Sequence, residues 1–163
     1  MIRRDDGYEV STDPARLDLD AIHGFLRTAY WSVGVPREVV ARAISNSMPF
    51  GLYDPSGRQA GFARVVSDRA AFAYLGDVFV LPEHRGRGLG VWLVECVLGH
   101  PELQGLRRWH LATADAHELY RRFGFGRRAA RTARCSSSAR PRSSSAPCIQ
   151  SNADWTQEIG SPP

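Results

Sequence analysis

Arg85-Gly86-Arg87-Gly88-Leu89-Gly90 is the stretch on which the reading of this 163-residue chain turns. It follows an apolar run, residues 74–81, and precedes Leu89, Trp92, Leu93, Cys96 and Val97, which recur at helical spacing. A glycine-rich turn from strand to helix leaves several backbone N–H groups unpaired and aimed one way. At the positive end of a helix dipole, such a nest accepts phosphate oxygens. Glycine is needed there because a Cβ would keep the backbone away from the ligand. The stretch therefore predicts a strand–loop–helix unit that holds a phosphate-bearing cofactor.

Working outward, residues 8–11 read as a short first strand, ended by Asp13-Pro14. Ile22, Phe25, Leu26, Ala29 and Tyr30 fall on one face of a helix that Asp18 or Asp20 would cap. Pro36 reads as the first residue of a second helix, with Val39, Val40, Ala43 and Ile44 facing inward. Residues 50–53 and 60–66 flank the turn Asp54-Pro55-Ser56-Gly57 and should form a hairpin. Residues 72–80 make a longer strand and residues 109–112 the next. Asp115-Ala116-His117-Glu118 has the form of a capping box opening a short helix, which Gly124 stops. The order β-α-α-β-β-β-α-β-α is that of an α/β chain with one antiparallel meander.

Two common glycine motifs do not fit. The dinucleotide fingerprint needs G-x-G-x-x-G, whereas Gly86, Gly88 and Gly90 are spaced G-x-G-x-G. A nucleoside-triphosphate loop ends in Gly-Lys-Ser/Thr, and this chain has no lysine. What remains is Val80-Leu81-Pro82-Glu83-His84-Arg85-Gly86-Arg87-Gly88-Leu89-Gly90, followed by Leu119-Tyr120-Arg121-Arg122-Phe123-Gly124-Phe125. In order and spacing this pair resembles the GNAT superfamily of acyl-CoA-dependent N-acetyltransferases, over residues 8–126.

The resemblance implies an α/β fold with a GNAT-like mixed central sheet and flanking helices. It implies acetyl transfer from acetyl-CoA, as cosubstrate and without a metal, to a primary amine of a small molecule or peptide. Backbone amides of Arg85, Gly86, Arg87, Gly88, Leu89 and Gly90 would bind the coenzyme A pyrophosphate. The strand edge at Val78, Phe79 and Val80 would pair with the pantetheine amides, and an N–H there could polarise the thioester carbonyl. A splay between this strand and the Trp109 strand would make the slot. Tyr120 would protonate the leaving thiolate. Tyr120 also reads as a core residue beside Leu119 and Phe123, and Arg85 and Arg87 as solvated charges.

An ammonium must lose a proton before it attacks, so a base is expected. Asp77, in the strand beside the reaction point, is the candidate, ahead of His110 and His117. Thr113 stands where many family members carry asparagine. The acceptor surface would come from residues 30–36, with Tyr30 and Trp31 as pocket or core residues. Attack should be direct, in a ternary complex, because Cys96 lies on the buried helix face. The reading from another class is a non-catalytic coenzyme A or nucleic-acid binding module.

Bulk properties set the remaining bounds. No apolar run reaches the ~18 residues of a membrane span, and the N-terminus lacks a signal peptide's apolar stretch. The three cysteines have neither disulfide nor zinc spacing. A cytoplasmic protein without membrane partners is expected, and a homodimer stays open. The net charge of +4 sits wholly in residues 127–163, since residues 1–126 balance, so nucleic acid is not expected as a partner of the body. That tail is nearly all Arg, Ala, Ser, Pro and Cys up to residue 148. Such composition predicts disorder, with a brief strand only at residues 155–159. It is what a GC-rich coding region gives when read out of frame, so a frame change near codon 126 would have replaced the last strands and left the Trp109 strand edge exposed. The competing reading is an arginine-rich arm for RNA, DNA or acidic surfaces.

Overall fold

A computed structural model describes residues 1–127 and 153–158 of the chain. Strands β1 (Ile2–Arg3), β2 (Glu9–Ser11), β3 (Met48–Tyr53), β4 (Gln59–Ser67), β5 (Phe72–Val80), β6 (Arg108–Thr113), β7 (Gly126–Arg127) and β8 (Ala153–Glu158) form one sheet. Its order is β1-β2-β3-β4-β5-β6-β8-β7. β5 and β6 run parallel, and every other neighbouring pair is antiparallel. Four helices flank it: α1 (Leu19–Leu26), α2 (Arg37–Ser45), α3 (Leu89–Leu98) and α4 (His117–Arg121). This is the expected mixed sheet with flanking helices.

Strand alternation divides the core between the two faces. Phe62 and Phe79 pack with Ile22 and Leu26 of α1 and Val40 of α2. The neighbouring Ala63 and Val65 join Leu89, Leu93 and Val97 of α3, Trp109 and Leu111 of β6, and Tyr120 of α4. Burying side chains of this size stabilises the fold by roughly 1.5–3 kcal/mol each before entropy is counted. Gly61 is fixed by this packing, because a Cβ would lie 2.5 Å from the Phe79 carbonyl.

Several local expectations need correction. α1 ends at Leu26, so Ala29 and Tyr30 lie in the turns beyond it; Ala29 is buried but Tyr30 is half exposed. Asp18, rather than Asp20, caps α1, accepting the N–H groups of Asp20 and Ala21. Pro36 is the N-cap of α2, not its first helical residue. Asp115 does not cap α4, whose N-cap is Ala116; its carboxylate is drawn away by Tyr30. Gly124 does end that helix, at φ +78°.

The edge of β6 is not bare. β8 pairs antiparallel along its whole length, from Arg108↔Glu158 to Thr113↔Ala153, and β7 pairs with β8 beyond. Trp155 and Thr156 are strand-favouring residues, and the segment supplies the backbone partners that β6 would otherwise lack. The strand expected at residues 155–159 is therefore found at Ala153–Glu158, and this part of the tail is ordered into the sheet. The rest of the Arg/Ser/Pro-rich stretch lies outside the described residues. Among the described residues, no helix is long and apolar enough to cross a membrane.

Candidate active site

The glycine loop is built by backbone geometry. After β5 a 3-10 turn (Pro82–His84) hands the chain to Arg85 in extended conformation. Gly86 and Gly88 then adopt φ +76° and +71°, which L side chains rarely tolerate. α3 begins at Leu89 with Gly88 as N-cap and no side chain bonded to its first turn. Those amides have no side-chain cap among the described residues. Beside them is a cavity of about 240 Å³, walled by Val80, Arg85, Gly86, Gly88, Gly90 and Leu119 among others.

Two arginines brace this loop. Arg85 folds back, its Nε donating to the Val80 carbonyl at 2.9 Å, with the guanidinium 6.0 Å from the Phe25 ring centre. Arg87 presents its carbonyl to Arg4, whose Nη2 donates at 3.0 Å. Arg4 also bonds Asp6 and lies over the Trp92 ring at 5.6 Å. The Tyr8 hydroxyl meets His84 Nδ1 at 2.9 Å. The β1–β2 turn is thus a buttress for the loop, and no spacing in the sequence signals that contact.

The slot beside the loop comes from two strands that part. β5 and β6 pair from Phe72↔Arg108 to Leu75↔Leu111 and no further. On its other side β5 pairs Phe79 with Phe62 but Gly76 with Arg64, so an extra residue is accommodated between them. Asp77 sits in that bulge at φ +53°, a left-handed conformation uncommon outside glycine. Arg64 Nε holds its Oδ2 at 2.5 Å, with both side chains largely buried. The bulge turns Asp77 and Val78 toward a second cavity, about 360 Å³, which Tyr30, Trp31, Arg64, Tyr74, Asp115 and Tyr120 also line.

Tyr120 is 6% exposed. Burial, reinforced by Tyr30, Asp115 and Tyr74, pushes its hydroxyl pKa well above the ordinary tyrosine value. The hydroxyl therefore stays protonated at neutral pH. One residue earlier, Leu119 lines the loop cavity, so α4 touches both spaces. Thr113 is buried, its hydroxyl accepting the Ala116 N–H at 3.0 Å, and its carbonyl meets His117 Nε2 at 3.3 Å. His110 packs against the Phe72 ring.

Of the residues singled out from sequence, Asp77, Val78 and Tyr120 come together at one cavity, and Val80, Arg85, Gly86, Gly88, Leu89 and Gly90 at the other. The Phe79 side chain turns into the core, stacked on Phe25 at 4.0 Å, so only its backbone could meet a ligand. Arg87 lies outside both linings. Cys96 is buried, its thiol pushed up to about 11 by desolvation, and is no nucleophile. Arg4, Arg64 and Asp115 were not foreseen.

A family model described as the acetyltransferase (GNAT) domain matches residues 46–127, which include the glycine loop, β4 to β6 and α4 but not the loop after α1 or α2, which wall the larger cavity on one side. A presumed acetyltransferase of Gibberella zeae is 36% identical over 135 residues, 69% of this chain and 75% of that protein. Among solved structures, a presumed GNAT-family acetyltransferase of Xanthomonas campestris is 55% identical, with a TM-score of 0.71 over 73% of this chain and 84% of that one. A GNAT-family acetyltransferase of Elizabethkingia anophelis with acetyl-CoA bound shares the fold at 14% identity, with a TM-score of 0.63 over 94% and 99% of the two chains.

Proposed function

The chain belongs to the GNAT family of acetyltransferases, and from that premise we propose that it moves an acetyl group from acetyl-CoA to a primary amine of a small molecule or peptide. One observation carries this reading: the parting of β5 from β6 joins a phosphate-ready loop to a cavity with a buried hydroxyl and a carboxylate. The amides from Arg85 to Gly90 hold the pyrophosphate, and the free β5 edge at Val78, Phe79 and Val80 pairs with the pantetheine. Arg85 releases the Val80 carbonyl as this happens and turns to the phosphates.

The amine attacks the thioester carbon directly. The C–N bond forms as the C–S bond breaks, leaving an amide and coenzyme A. Tyr120, kept protonated by its burial, gives its proton to the departing sulfur. Asp77 takes the proton that the amine loses; its Oδ1 has no hydrogen-bond partner among the described residues. A backbone N–H at the divergence steadies the developing oxyanion.

Acetyl-CoA titrated in a thermal-shift assay is the first test. Saturation at a hundred times Kd should stabilise the fold by about 2.7 kcal/mol. Thiol release and an N-acetylated product with primary amines should follow. No shift at saturation overturns the cosubstrate assignment, and thiol release without an amide overturns amine transfer.

A further inference from the structure

Among the described residues, the larger cavity carries a charge that no cation pairs. Arg64 neutralises Asp77. Asp115 is different: it is exposed at the rim, and its bonds come from neutral groups, the Tyr30 hydroxyl at 3.1 Å and the Thr113 hydroxyl at 3.5 Å. Among the described residues it has no ion-pair partner. Tyr30 also accepts the Ala114 N–H at 3.1 Å, which locks the loop after α1 to the loop after β6. Both loops are thereby fixed around Asp115.

Aromatic and aliphatic groups surround that charge. Trp31 meets Tyr30 edge-on at 4.9 Å, and Leu26, Val35 and Val39 continue the wall. A cation gains twice in such a place, from the carboxylate and from the ring faces. A ligand carboxylate would meet Asp77 and Asp115, with Arg64 the one cation among the described lining residues to offset them. The volume, about 360 Å³, is at the small end for a small-molecule site.

Resting on the acetyl-transfer reading, we propose that the acceptor is a small hydrophobic amine without a carboxylate, its ammonium docked on Asp115 and its apolar body against Tyr30, Trp31 and Val39. Asp115 is a specificity residue in this scheme. The Tyr30 bond keeps it in place, and Asp77, deeper in the cavity, takes the proton once the amine has moved inward.

Calorimetric titration with phenethylamine, phenylalanine and phenylpropanol tests this directly, because binding is read without turnover. Phenethylamine should bind about tenfold or more tightly than phenylalanine, which adds a carboxylate, and than phenylpropanol, which lacks the charge. Asp115→Asn should weaken phenethylamine about tenfold while leaving acetyl-CoA affinity and melting temperature unchanged. Equal binding of phenylalanine, or full phenethylamine affinity in Asp115→Asn, overturns the assignment. Acetylation of carboxylate-bearing amines alone would remove the substrate class and leave acetyl transfer standing. Loss of acetyl-CoA binding would remove the transfer reading, and the amine titrations would still decide the pocket.

Discussion

The two cavities of this chain are made in opposite ways. Around the loop, the cavity is made by the backbone: glycines at positive φ, a helix start without a side-chain cap and a β5 edge that β6 leaves after Leu75. Side chains do the work in the larger cavity, where Tyr30, Arg64, Asp77, Asp115 and Tyr120 arrive from five separate stretches. Backbone recognition suits a ligand that never changes. A side-chain wall can be rebuilt one residue at a time without disturbing the loop, so on the proposed reading the acceptor can vary while the donor stays the same. α4 belongs to both regions, through Leu119 on one side and Tyr120 on the other.

Tyr120→Phe should therefore have the largest effect and fall on neither binding step. The ring keeps its place against Phe125, 6.0 Å away. Acetyl-CoA and amine affinities should hold while kcat drops by about a hundredfold or more, the range of a lost general acid. Pre-steady-state thiol release against pH reads this. Unchanged kcat would make Tyr120 a packing residue and leave the two regions without a shared chemical group.

Gly88→Val should split the regions cleanly. Nothing lies within 4 Å of the added Cβ, so the cost is backbone strain at φ +71°, not collision. That strain, about 1–3 kcal/mol, should weaken acetyl-CoA roughly tenfold or more and leave phenethylamine binding alone. A matching loss of amine affinity in calorimetry would show that the cavities are coupled through α3 and α4.

The same contrast explains what could be read from sequence. β5, the loop and α3 were legible because local rules build them: an apolar run, punctuating glycines and a helical stripe in one continuous stretch. Tyr120 was legible because its motif has fixed spacing. Asp77 was placed correctly on β5, but its bulge was not, since that depends on the register with Arg64 in β4. Asp115 was misread as a cap because Tyr30, its partner, is 85 residues away. Arg4 escaped for the same reason, with Arg87 at 83 residues. Local geometry travels along the chain, while the wall of the larger cavity exists only once distant loops have met.

Tyr53 gives the smallest effect and a control for both regions. It lies on β3, outside either cavity, 1% exposed, and its hydroxyl is buried with no hydrogen-bond partner among the described residues. The ring covers Gly51, where an added Cβ would run into the hydroxyl, and Arg16 stacks 4.3 Å above its face. Tyr53→Phe keeps that stack and removes a polar atom that folding strips of water. Stability should stay level or rise by up to about 1 kcal/mol, a few degrees in Tm for a domain this size. Acetyl-CoA and amine affinities should not move. A fall in Tm would mean the hydroxyl has a partner in solution, and a change in either affinity would mean that β3 transmits strain through β4 to the bulge at Asp77.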